Sequence, residues 1–312
     1  MQDRYAGDIG DFGKFALLKE LERQELTVGV NWYKTEPLDS EKNSDGSFKR
    51  DDGKHIDIPE NMRACDTKLA DNLAIVAHGK NGERCLKALQ IAGLLRSDIY
   101  YDETLPFNER DQWHQNALAF FSENKADLVF LDPDNGLLVN SVGKKSSRSV
   151  KYVFYEEVLD YLEQGKSVLI YNHRSRKQEL QYFKDIEMRL QEEIKKRKLA
   201  YQPGVLEITF PRYSVRDYIA ISARPEHTEK IRAAFETMWT GKWGESRMCQ
   251  KPLTMDITYS EFRARFSEKS KTKFLKYYQA LPEEVMIEMV DRMKANTTCK
   301  ACAAGLWHQN RL

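Results

Sequence analysis

No apolar run of about 18 residues occurs anywhere in the chain, so no segment has the length and composition of a membrane-spanning helix. The opening MQDRYAGDIGDFGK holds no apolar core of signal-peptide length, which sets the expectation of a cytoplasmic protein. Cysteine is scarce. Cys65, Cys85, Cys249, Cys299 and Cys302 are odd in number and scattered, so they form no disulfide framework and suit a reducing compartment. An excess of either charge is missing too. Lys+Arg 49 against Asp+Glu 48 leaves a net charge of +1, so no global field attracts a polyanion and any such contact has to come from a local patch.

What the chain does have is alternation. Residues 12–24 carry a helical apolar stripe at Phe12, Phe15, Leu18 and Leu21, and the β-branched and aromatic run LTVGVNWY follows as a strand. Residues 34–60 are a polar inserted loop broken by Pro37, Gly46, Gly53 and Pro59. Helical patterns at 66–77 and 83–95 lead to the strand SDIYYDETL, then to a helix over 108–122 and the strand DLVFLDPDNGL. KYVFYEEVLDYLEQG predicts a helix closed by Gly165, KSVLIYNHRSR a strand, 178–198 a long helix, and GVLEITF with DYIAISA a closing hairpin. The pattern predicts an α/β fold over 1–238, with an open sheet that is mostly parallel and has an antiparallel edge hairpin. A helical C-terminal extension is expected over 239–312.

In such sheets ligands sit at the carboxyl ends of the strands. Four predicted strand ends carry chemistry: Trp32 with Tyr33, Asp102 with Glu103, Asp132 to Asn135, and Asn172 to Arg176. A carboxylate in such a place often does no more than cap the next helix. DPDNG offers more, because Pro133 and Gly136 shape a tight turn while Asp132, Asp134 and Asn135 present acceptors and donors. Beyond the next strand, His173, Arg174 and Arg176 are placed to address a phosphate.

RYAGDIGDFGKFALLKELERQ, followed by a strand, resembles the start of the bacterial large-subunit ribosomal RNA adenine methyltransferases, whose Ala-Gly-Asn-x-x-Asp-x-x-Lys pattern opens a helix. Here the matching residues are Ala6, Gly7, Asp8, Asp11 and Lys14. FLDPDNG resembles the Asp-Pro-Pro-Tyr turn of amino-group methyltransferases, and VLIYNHRSRKQ resembles the strand after it. The resemblance implies a Rossmann-like sheet and S-adenosylmethionine as cofactor. Its neighbours would be Asp8, Asp11 and Lys14, with Trp32 and Glu103 at the first two strand ends. The implied catalytic set is Asp132, Asp134, Asn135 and His173, with Arg174 and Arg176 on the substrate. The implied reaction is methyl transfer to an amino group of RNA or DNA, with no metal required.

Two other readings stay open. Asp45, Glu103, Asp132 and Asp134 gathered at one sheet edge would bind magnesium, as in a phosphodiesterase or nuclease on the same scaffold. Alternatively the site holds a nucleotide as a non-catalytic sensor. In the extension, SKTKFLKYY interleaves basic and aromatic residues, for which a solvated helix with a buried aromatic face is the simpler reading. Cys299, Cys302 and His308, with distant Cys249, offer only half of a zinc site.

Overall fold

The computed structural model describes residues 1–49, 53–79, 84–175, 177, 179–199, 201–252 and 254, together with Ile287 and Asp291. Its helices are α1 (Ile9–Arg23), α2 (Glu60–Arg63), α3 (Thr67–Ala77), α4 (Leu86–Ile91), α5 (Arg110–Glu123), α6 (Tyr155–Glu163), α7 (Glu179–Arg197), α8 (Pro225–Thr240) and α9 (Lys242–Glu245). Its strands are β1 (Val28–Asn31), β2 (Ile99–Tyr101), β3 (Leu128–Leu131), β4 (Gly136–Leu137), β5 (Tyr152–Val153), β6 (Ser167–His173), β7 (Gly204–Phe210) and β8 (Arg216–Ser222).

Six strands make one sheet in the order β2-β1-β3-β6-β8-β7. β2, β1, β3 and β6 are mutually parallel, in a register that sets Val30 beside both Tyr100 and Phe130. β8 runs antiparallel to β6 and to β7, which together form the expected hairpin. The sheet is therefore mixed and mostly parallel, and the architecture is Rossmann-like α/β. β1 and β3 are buried at every position, as expected of parallel strands covered on both faces. Because β8 is reversed, its first residue, Arg216, lies at the same edge as the carboxyl ends of β1, β3 and β6.

α1 begins where Asp8 accepts hydrogen bonds from the backbone N–H of Gly10 and Asp11, capping its free donors. Phe12, Phe15, Leu18 and Leu21 are then fully buried, so the stripe read from sequence is the face laid on the core.

Two local expectations change. The helix expected over 83–95 is only α4, followed by Gly93 at φ +58°. KYVFYEEVLDYLEQG does not start as a helix, since β5 pairs with β4 and the helix begins at Tyr155, where Glu157 accepts from the Phe154 N–H at 2.9 Å. The β-branched and aromatic Tyr152–Val153 pair finds a strand partner in the DPDNG turn, and that tertiary pairing overrides helix periodicity. Among the described residues, no helix is long and apolar enough to cross a membrane.

The chain divides into two units. The first, Met1–His173 with Glu193–Lys251, contains the whole sheet. It includes residues 239–251, which the sequence assigned to the extension: Trp243 lies 4.8 Å from the Phe12 ring, and Thr209 pairs with Gln250. The second unit takes Arg174–Glu192 with Pro252–Leu312. Within it Arg174 pairs with Glu179 at 2.9 Å and lies 5.4 Å from the Phe183 ring. SKTKFLKYY and the Cys299, Cys302 and His308 tail fall outside the described residues.

Candidate active site

A cavity of about 1210 Å³ opens over the ends of β3 and β6, walled by the start of α1, residues from 38–49 and 53–55, and the β7–β8 turn. DPDNG forms part of its floor. The turn is held from several directions. Asp132 N–H donates to Asn31 O at 2.9 Å, which extends the β1–β3 ladder by one bond. Asn135 N–H donates to Lys151 O at 3.0 Å, and Asn135 O accepts from the His173 N–H at 3.0 Å. Asn172 Oδ1 accepts from the Leu137 N–H at 2.7 Å.

Gly136 makes this closure feasible, with φ at +116° and space so tight that a Cβ would fall 1.8 Å from Asn172 Oδ1. Gly136→Ala is accordingly expected to cost about 2–3 kcal/mol, from left-handed strain and displacement of Asn172. Chemical denaturation checks this, and a loss under 0.5 kcal/mol would mean that the turn is not fixed as described.

One turn into α1, Asp11 and Lys14 share a face, an i,i+3 spacing that brings the two side chains together. Lys14 Nζ donates to Asp11 Oδ1 and to Asp132 Oδ2, both at 2.7 Å, with only 3% of its side chain exposed. Burial disfavours its charge, yet the Asp11 and Asp132 carboxylates hold the ammonium above the ordinary lysine range. One ammonium serves two carboxylates, so the cluster retains an excess of negative charge. Burial accordingly pushes the Asp132 carboxyl up, with Lys14 opposing it. Asp8 is raised by burial and by the nearby Asp11 carboxylate, while Arg216 pulls the other way.

Asp134 sits in a different field. Burial works against its charge, but the Met1 amino group and Lys151, each 3.2 Å away, hold its carboxyl below the usual range. Gln2 Nε2 adds a bond to Asp134 at 2.9 Å, and Lys151 also pairs with Glu41 of the long loop at 2.7 Å. The adjacent carboxylates of DPDNG are thus tuned apart. Asp132 is pushed toward its neutral form and Asp134 toward its ionised form.

Of the residues singled out by sequence, Asp8, Asp11, Lys14, Asp132, Asp134, Asn135 and His173 meet around this cavity. Trp32 does not line it. Its ring is fully buried and stacked on Tyr100 at 6.0 Å, so it belongs to the core above β1. Glu103 is exposed away from the cavity, and Asp102 accepts from Gln90 Nε2 at 3.1 Å. Arg174 belongs to the second unit, and Arg176 lies outside the described residues.

The four carboxylates of the magnesium reading do not assemble. Asp45 binds its own loop through Ser47 at 2.6 Å, Glu103 is remote from the cavity, and Asp132 and Asp134 are each engaged by cations. Among the described residues no group of three or more His, Cys, Asp or Glu side chains is placed to hold a metal ion. Cys249 is a buried free thiol.

Sequence reasoning passed over Tyr171, Arg216, Lys151 and Glu41. Tyr171 OH bonds His173 Nε2 at 3.0 Å and also accepts from Arg216 Nε at 3.3 Å. Burial pushes the Tyr171 hydroxyl up to about 12, so it is a neutral donor near pH 7. Arg216 could have been found by noting that a reversed strand begins at the edge where its parallel neighbours end. No comparable signal marks Glu41 or Lys151, whose roles depend on loop contacts. Set against family models, curated proteins and solved structures, the chain matches none of them.

Proposed function

We propose that the chain is an S-adenosylmethionine-dependent methyltransferase acting on an amino group, with nucleic acid as the substrate. The observation that carries this reading is an open acceptor. Asp132 Oδ2 is engaged by Lys14, while Oδ1 has no donor among the described residues and the side chain lines the cavity floor. An amine N–H docked there would be oriented with its lone pair pointing away from the carboxylate. Such positioning accelerates an in-line displacement without proton transfer in advance.

The cofactor supplies an activated methyl group on a sulfonium, and the site contains groups suited to its charges. Asp8 caps α1 through Oδ1 alone and leaves Oδ2 without a donor among the described residues, a ready partner for a cationic group. Arg216 on the same wall suits a carboxylate. The cavity exceeds the roughly 300–1,000 Å³ usual for one small ligand, so it has room for a cofactor and an inserted substrate group together. The mostly parallel sheet closed by an antiparallel hairpin agrees with the scaffold that the sequence resemblance implies.

Titration calorimetry tests the reading. Micromolar binding of S-adenosylmethionine is expected, weakened at least tenfold in Asp8→Asn, which retains the capping oxygen and loses the charge. No heat of binding at millimolar ligand would overturn it.

A further inference from the structure

Charges of both signs lie deep in the cavity, Lys14 and Lys151 among them, and its carboxylates among the described residues, Asp8, Asp11, Glu41, Asp132 and Asp134, are all buried or half-buried. Among the described residues, the charged side chains that line it and are exposed are all basic: Lys49, Lys54 and Arg148. They come from separate segments, residues 49 and 54 on one side and GKKSSRSVK on the other, which also carries exposed Lys145 and a Lys144 paired with Glu156 at 2.6 Å. The Arg148 guanidinium has no hydrogen bond or ion pair among the described residues, and only the residue's backbone N–H is engaged, donating to Ser146 Oγ. Among the described residues Lys49 Nζ reaches only a carbonyl, Ser40 O, at 3.1 Å. A chain of net charge +1 has thus concentrated accessible positive charge at the mouth of one cavity.

We propose that this rim is a phosphate-binding site for a polynucleotide strand, which threads across the mouth and offers one nucleotide to the interior. The exposed basic rim fits that ligand. A free nucleoside has nothing for the rim cations to hold, whereas a strand presents phosphates on both sides of the inserted unit. Arg148 supplies a planar fork suited to a phosphate, and Lys49 supplies a point charge from the other wall. The proposal deepens the methyl-transfer reading by assigning where its substrate is held, and rests on that reading only for what happens to the inserted group.

Fluorescence anisotropy with labelled 12-nucleotide single strands, one RNA and one DNA, in the absence of cofactor tests it. Two phosphate contacts predict that log K falls with log salt at a slope of about −1.4, roughly 0.7 per contact on single strands. Arg148→Glu is expected to weaken binding at least tenfold and flatten the slope. Lys49→Glu should do the same from the other wall, and Lys68→Glu on the remote face of α3 should change affinity less than twofold. A preference between the arms identifies the sugar that is read, and equal binding assigns recognition to phosphate alone. No binding at 100 µM protein in 50 mM salt, or an equal effect from Lys68→Glu, would overturn the proposal. Strand binding without S-adenosylmethionine binding would sink the methyl-transfer reading and leave the rim standing.

Discussion

Lys14→Met should destabilise the protein by about 3–5 kcal/mol, the usual cost of removing one partner from a buried ion pair. For a chain of this size that corresponds to a fall of roughly 10 °C in thermal midpoint. The methionine fills nearly the same volume, so the loss comes from charge. Asp11 and Asp132 would be left facing one another without the ammonium that lies 2.7 Å from each. The Asp132 carboxyl, already raised by burial, should then rise further once the opposing ammonium is gone. A raised carboxyl pKa opposes folding at neutral pH and ceases to do so once both states are protonated. The deficit should therefore shrink as pH falls from 7 toward the ordinary aspartate value of 3.8. Asp134 works in the opposite sense. Its depressed pKa contributes stability above 3.8 that is lost only as pH falls through its lower folded value. Thermal midpoints measured across this range in both proteins check the sign. The double variant Lys14→Met, Asp11→Asn should recover more than half of the loss. A deficit independent of pH, or one below 1 kcal/mol, would show that Lys14 is not the counter-ion of this cluster.

That pair also marks how far the sequence could be read. Strand and helix alternation fixes the layers because each element must bury a face, and the stripe Phe12, Phe15, Leu18, Leu21 is indeed the buried side of α1. DPDNG was legible as a turn at the sheet's carboxyl edge because its apolar approach leaves Asp132 directly at a strand end, and Asp132 to Asn135 line the cavity. The sequence alone could not show that Lys14, 118 residues away, reaches Asp132. Such a contact depends on the angle at which α1 crosses the sheet. Trp32 was misplaced for a related reason: a strand-end residue faces the crevice or the core according to what packs above it, and here Tyr100 stacks on it. Next to it Tyr33 adopts φ +44°, with its N–H held by Asn31 Oδ1 at 3.1 Å and its hydroxyl donating to Glu157 at 3.1 Å. Directly after β1 this chain therefore has two buried aromatics in a hydrogen-bonded cap. The cavity accordingly opens on the side of α1, β3 and β6.

Asp132→Asn should separate chemistry from architecture at the DPDNG turn. The side chain is 2% exposed and ion-paired, so a large effect on stability would be the simple expectation. The cluster argues otherwise. An asparagine oxygen can still accept from Lys14, Asp11 remains as the charged partner, and the carboxylate being removed is one whose charge burial already disfavours. The thermal midpoint should thus stay within a few degrees of wild type. Activity should not survive. An amide turned to accept from Lys14 presents its NH₂ group to the cavity, so the open acceptor becomes a donor facing the substrate amine. Loss of that interaction is expected to reduce transfer of labelled methyl to single-stranded RNA or DNA by at least a hundredfold, about 2.7 kcal/mol of transition-state stabilisation. Strand binding at the cavity rim should be unchanged, because Lys49 and Arg148 are untouched. A variant that keeps turnover and loses more than about 3 kcal/mol of stability would show that Asp132 serves the fold, as the second anchor of Lys14, and that the reaction is carried elsewhere.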